Sequence, residues 1–217
     1  MIQKEFVIRR GITDNHPRQL ILNENFLTFE NNDLASNQFT TFQKDQIAEY
    51  SFGVKWMKYY FVFGREYVIN IKSVDGQTIK INFKTYFGRK KNEYHLLCNE
   101  ILSGLWTKYF HSIANSFVKS HEADEEFIIG DVLFVPDGII IKTNSSIRQK
   151  KALIPWDKIK TKNYTTYFAI YAEDDAVNTN RGYSYLNDWN TSLLRTVILQ
   201  LLEKKANVGN KQTQLQE

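Results

Sequence analysis

Cysteine is all but missing: Cys98 is the only one in 217 residues. No internal disulfide can form, so the chain fits a reducing compartment. Proline (3) and glycine (10) are also scarce, which excludes a collagen-like repeat or a linker-dominated chain. No run approaches the roughly 20 apolar residues of a membrane-spanning helix. The opening residues, Met1-Ile2-Gln3-Lys4-Glu5, have neither the basic start nor the apolar stretch of a secretory signal, so a cytoplasmic location is expected. Catalytic signatures are missing too: there is no G-x-S-x-G, no Walker A and no G-x-G-x-x-G. His16, His95, His111 and His121 show neither His-x-His nor His-Glu-x-x-His spacing. No metal site, no cofactor and no catalytic residue is therefore expected.

Aromatic residues are plentiful, with 15 Phe, 12 Tyr and 4 Trp, which excludes wholesale disorder. The net charge of +4 is mild but uneven. Residues 1–120 hold 16 basic and 11 acidic side chains, and residues 121–217 hold 12 and 13. Lys80 to Lys91 and Lys142 to Lys162 are the most basic stretches. Charge this dilute reads first as a solvated surface, and nucleic acid is not an expected partner.

Period-two patterning dominates the chain. Lys4 to Arg10 predicts a short strand, and Leu20 to Phe29 predicts a hairpin about Asn23-Glu24-Asn25. Glu30 to Gln38 reads as a loop, Phe39 to Tyr50 as extended, and Val54 to Phe63 as one aromatic strand ended by Gly64. In Glu66 to Lys84, apolar and polar residues alternate on both sides of Asp75-Gly76. That is the strongest short-range hairpin signal. The period then changes. Tyr94, Leu97, Cys98, Ile101, Leu102, Leu105, Tyr109, Ile113 and Phe117 recur at three and four residues, which predicts an amphipathic helix. Cys98 lies on that stripe and reads as a buried small side chain rather than a nucleophile.

The acidic patch His121 to Glu126 reads as a link between domains, not as a hard-cation loop, since it lacks a turn glycine and spaced ligands. Beyond it come Phe127 to Val135, a Pro136-Asp137-Gly138 turn, Ile139 to Thr143, Lys151 to Tyr164, Thr166 to Ala172 and Gly182 to Leu186, all strand-like. A second amphipathic helix carries Trp189, Leu193, Leu194, Val197, Ile198, Leu201 and Leu202, capped by Asn187 or Asp188. Residues 206–217 show no periodicity and are expected to form a disordered tail.

Both halves thus run strands first and close with one helix. Lys44-Asp45-Gln46-Ile47 is echoed by Trp156-Asp157-Lys158-Ile159, and Thr85-Tyr86-Phe87 by Ser184-Tyr185-Leu186. A strongly twisted antiparallel sheet leaves one end of its core open, and a single amphipathic helix can plug it. In this element order the chain resembles a divergent bacterial tandem of pleckstrin-homology-like modules over residues 4–205. The resemblance implies an α+β, mainly antiparallel β fold: a β-sandwich-like unit at residues 1–120 and a shorter one at residues 121–205, with five or six readable strands against the family's seven. The family packs a tryptophan of the closing helix on the sheet; Trp106 matches that place, and Trp189 stands at the start of the second helix.

Phosphoinositide-binding members of that family clamp phosphates with Lys, a gap, then Lys/Arg-x-Arg. The resemblance points to Lys142, Arg148 and Lys150, with Lys151 beside them, as an anion or lipid site in the second unit. A lysine replaces the final arginine, which loses bidentate geometry. Tyr86 to Lys91 interleaves aromatics with bases, which suits single-stranded nucleic acid but reads more simply as a strand-to-helix link. Trp56, Tyr59, Tyr60, Tyr164, Tyr167 and Tyr183 exceed what one core face per half needs. Trp56, Tyr59, Tyr164 and Tyr167 are the candidate contacts for a partner. The expected function is a non-catalytic adaptor for a protein or peptide, with peripheral binding to an anionic membrane at its inner face as the alternative and an enzyme a distant third. The sequence leaves the oligomeric state open.

Overall fold

The computed structural model describes residues 3–30, 39–143 and 150–214. The protein is α+β and mostly antiparallel β. It divides into two compact units, Met1–His111 and Ser112–Glu217. The division falls inside a helical run, not in the acidic link after Ser120 where the sequence placed it.

In the first unit β1 (Lys4–Ile8), β2 (Arg18–Leu22), β3 (Phe26–Glu30) and β4 (Phe39–Gln43) form one antiparallel sheet in chain order. A 3-10 turn at Lys44–Gln46 leads to a second sheet of β5 (Ile47–Tyr59), β6 (Val62–Ser73) and β7 (Thr78–Tyr86). Alternation places Tyr67, Ile69, Ile71, Ile79, Ile81 and Phe83 in the core and Lys72, Lys80 and Lys84 on the other face. Gly76, at the Asp75-Gly76 turn between β6 and β7, has φ +85°. The helix α1 (Lys91–Leu105) passes through a π-helical turn, Trp106–Phe110, into α2 (His111–Glu122).

This helix closes the unit with particular side chains. Gly104 lies against Leu22, so closely that a Cβ there would meet Leu22 Cδ1 at 2.7 Å. The Tyr109 hydroxyl is 2.7 Å from the carbonyl oxygens of both Asn23 and Phe26. Phe110 stacks on Tyr50 at 3.9 Å. Lys108, almost buried, donates to Glu24 at 2.6 Å and holds that carboxyl below its usual range. The π turn thus seats its Lys108, Tyr109 and Phe110 in the core. Trp106 is only half-buried. Burial raises the Cys98 thiol to about 12, which keeps it protonated and unreactive at neutral pH.

The second unit repeats the order. Strands β8 (Phe127–Ile129), β9 (Val132–Val135), β10 (Gly138–Lys142) and β11 (Lys151–Pro155) form a four-stranded antiparallel sheet. After a 3-10 turn at Trp156–Lys158, β12 (Ile159–Asn163), β13 (Tyr167–Ala172) and β14 (Asn180–Ser184) form a three-stranded one. Among the described residues that makes seven strands, not five or six. Two readings hid them: Phe127–Val135 breaks at Gly130, whose φ is +63°, and Lys151–Tyr164 breaks after Pro155. The final helix α3 (Thr191–Gln214) begins after Trp189 and runs past Leu202, so residues 206–214 are helical where the sequence predicted a tail. The Asp188 carboxylate accepts the Ser184 N–H at 2.6 Å. Leu193, Leu194, Val197, Ile198 and Leu201 of α3 are buried.

Of the two tryptophans of this unit, Trp189 is half-buried and Trp156 is buried. Its indole donates to the Pro136 carbonyl at 2.9 Å, and its ring lies 4.9 Å from His121 and 6.3 Å from Phe134. Among the described residues no helix is long and apolar enough to cross a membrane.

Candidate functional site

A hairpin projects from its sheet at the far end of β5 and β6. These strands are 13 and 12 residues long and stay paired through Met57↔Gly64, Lys58↔Phe63 and Tyr59↔Val62. The third strand stops earlier: its last partner is Tyr86, opposite Gly64, followed by one bond from the Phe87 N–H to the Phe63 carbonyl at 2.9 Å. The turn therefore stands about two residues, roughly 7 Å, beyond the sheet. Gly64 makes the junction. A Cβ at this residue would come within 1.9 Å of the Thr85 carbonyl oxygen, so β6 and β7 meet there only because the side chain is missing.

The turn is Tyr60-Phe61. Phe61 is 92% exposed and Tyr60 83%, with Trp56 at 73% and Phe63 at 53%. Tyr60 has φ +49°, a left-handed conformation that costs a residue with a Cβ about 1–2 kcal/mol. Phe87 packs edge-on against Phe63 at 5.4 Å. The Arg65 guanidinium lies 4.5 Å over the Trp56 ring, its cross-strand partner, a cation–π contact. Gly53 to Arg65 contains Lys55, Lys58 and Arg65 and no acid. Arg89, Lys90 and Lys91 follow Phe87 and are exposed. The nearest acids in sequence are engaged: Glu66 by Lys84 at 3.7 Å and by the Asn82 amide at 3.0 Å, and Glu93 by Lys90 at 3.5 Å.

The other predicted residues fall elsewhere. Tyr164 and Tyr167 come together at the β12–β13 turn, stacked at 4.3 Å and each 37% exposed, with Lys162 Nζ 5.1 Å over Tyr164. Tyr183, counted among the surplus aromatics, is instead buried; burial and then the nearby Asp131 push its hydroxyl pKa up. Tyr59 is placed by its backbone in the hairpin. Lys142 and Lys151 sit opposite one another across the β10–β11 ladder. Lys142 Nζ lies 3.9 Å from Asp131, a carboxylate that also holds Arg181 at 3.0 Å. Lys150 is exposed, and Arg148 lies outside the described residues. The Tyr86 to Lys91 segment is the β7–α1 link, with positive φ at Phe87, Gly88 and Lys90.

Phe87, read as part of the strand-to-helix link, is exposed, and Phe61 and Phe63 are exposed aromatics that sequence reasoning did not single out. The signal for them was the density of aromatics from Trp56 to Phe63, read as one strand because no Gly, Asn, Asp or Pro marks the turn. No protein-family model matches the chain, and no curated protein matches it significantly.

Proposed function

We propose that this chain is a non-catalytic binding adaptor of two pleckstrin-homology-like units, working in the cytoplasm, and that the β5–β6 hairpin is its main docking element. The four-plus-three strand order followed by a helix, present twice, supports the family reading. The single observation that carries the function is the Tyr60-Phe61 turn, which leaves two aromatic side chains almost wholly in water. Burying either would yield about 1.5–3 kcal/mol, and an Asn-Gly turn would fold at lower cost. Phe61, 92% exposed, adds little to the chain's own stability there. A docking surface accounts for both features. In the second unit, the Tyr164–Tyr167 stack with Lys162 offers a flat aromatic platform for a protein or peptide partner.

Replacing the turn with Asn-Gly (Y60N together with F61G) tests this reading. The melting temperature is expected to hold or rise by a few degrees, as for a turn relieved of about 1 kcal/mol. A photo-reactive side chain at position 61 in the full chain, exposed to a native extract with its membranes, is expected to couple to lipid or protein. The same group at position 75, on the opposite turn, is the control. Coupling no better than at position 75, or a large loss of stability in the Asn-Gly variant, would overturn the docking reading.

A further inference from the structure

We propose that the β5–β6 hairpin docks on an anionic lipid bilayer, its Tyr60-Phe61 turn entering the boundary between headgroups and acyl chains. This inference rests on the hairpin being a docking element and names what it docks on. A bilayer surface has an order in depth: apolar chains, then an amphipathic interface, then anionic phosphates. The hairpin has the same order. Tyr60, Phe61 and Val62 stand at the tip with no charged side chain among them. Lys58 lies opposite Phe63, roughly 7 Å behind the turn, a distance within the ~5–10 Å by which the apolar face of an interfacial element sinks. Trp56 and Arg65 stack farther back. Trp and Arg are residues that sit at headgroup level with the ring or alkyl stem inward and the polar end outward.

The charge decides between occupants. Lys55, Lys58, Arg65, Arg89 and Lys91 lie behind an apolar tip, and the nearest acids in sequence, Glu66 and Glu93, are paired with Lys84 and Lys90. A protein contact centred on an aromatic anchor surrounds it with a mixed polar rim. Here the rim is cationic, and it suits a surface whose charge is uniformly negative. The second unit's basic residues are arranged differently: Lys142 is drawn to Asp131.

The experiment uses the full chain and vesicles of phosphatidylcholine alone or with 30% phosphatidylglycerol, about that fraction giving a clear negative surface. An environment-sensitive fluorophore is attached through Phe61→Cys; Cys98 is buried and does not compete. The fluorophore is expected to brighten and shift to the blue with anionic vesicles in 0.1 M salt and to respond weakly to neutral ones. The same label at Asp75→Cys is expected to stay silent. Phe61→Ser is expected to weaken sedimentation with anionic vesicles by about tenfold or more, and Lys55→Ala or Lys58→Ala by about fivefold each. Raising the salt is expected to weaken binding further.

Failure to bind anionic vesicles at low salt, or binding that Phe61→Ser leaves unchanged, overturns the lipid assignment. If vesicles fail while the position-61 cross-linker couples to a protein, the hairpin remains a docking element with a protein partner and the lipid assignment is wrong. If the chain is instead a dimer in solution that Phe61→Ser turns into a monomer, and vesicles fail, the occupant is a second copy. If both vesicles and cross-linker fail, the docking reading falls as well.

Discussion

In the first unit β5 and β6 run for 13 and 12 residues; in the second, the corresponding β12 and β13 run for five and six. Each pair follows a four-stranded sheet and a 3-10 turn, and each is joined by a turn rich in aromatic groups. In the second unit Tyr164 and Tyr167 stack face to face and half-shelter each other. In the first, Tyr60 and Phe61 occupy the turn itself and face solvent. The same element order therefore tolerates two outcomes. A short hairpin spends its aromatics on its own stability, and a long one carries them beyond the reach of its sheet. The difference teaches that the exposure of these aromatics is set by strand length and not by the number of aromatic residues.

The sharpest way to break that comparison is to remove buried and projecting aromatics in turn. Phe83→Ala in the first unit and Phe134→Ala in the second, both fully buried, are each expected to cost about 3–5 kcal/mol in urea unfolding. Phe61→Ala is expected to cost less than about 0.5 kcal/mol. Comparable losses at all three sites would mean that the hairpin tip is packed. A smaller effect compares glycines. Gly64→Ala would press a Cβ toward the Thr85 carbonyl at 1.9 Å, and Gly138→Ala toward the Ile154 carbonyl at 2.2 Å. Each is expected to cost about 1–3 kcal/mol, so the units share this device for bringing strands together. Stability of Gly64→Ala equal to that of the wild type would show that the hairpin base is loose.

The smallest effect separates the units by pH. His121 lies against Trp156, and burial and then the Lys205 charge hold its pKa below the ordinary 6.5, against the pull of Asp124 and Glu122. The unfolded chain takes up a proton near pH 6.5 and the folded one only at lower pH. Stability from this group is complete above pH 6.5 and is lost as the solution is acidified toward the folded value. Melting between pH 7.5 and 5.5 is expected to fall by roughly 2 °C more in the wild type than in His121→Gln. Equal slopes would place His121 in contact with solvent.

Some of this was readable in advance. The Asp75-Gly76 hairpin and the stripe from Tyr94 to Phe117 were plain, because strong turn chemistry and a sustained period leave little choice. The echo between Lys44-Asp45-Gln46-Ile47 and Trp156-Asp157-Lys158-Ile159 fell on two equivalent 3-10 turns. The short strands β8 and β9 were fused in the reading since three and four residues are too few to show alternation. The Tyr60-Phe61 turn was hidden for the opposite reason. Its residues are strong strand formers, and only pairing across a long ladder forces the chain to reverse there. Of the candidate contacts, Trp56 was picked by its type. Phe61 could not be, since a lone phenylalanine in an aromatic run reads as core.

An unsheltered ribbon of β-prone, aromatic sequence is also the kind of segment that adds to copies of itself. Lys55 and Lys58 interrupt the run from Val54 to Phe63 in the manner of gatekeepers that hold such strands apart by mutual repulsion. Shielding that repulsion with concentrated salt turns an asset into a hazard. The protein will keep best in dilute buffer, and its shelf life in the test tube will be shortest where its hairpin has nowhere to go.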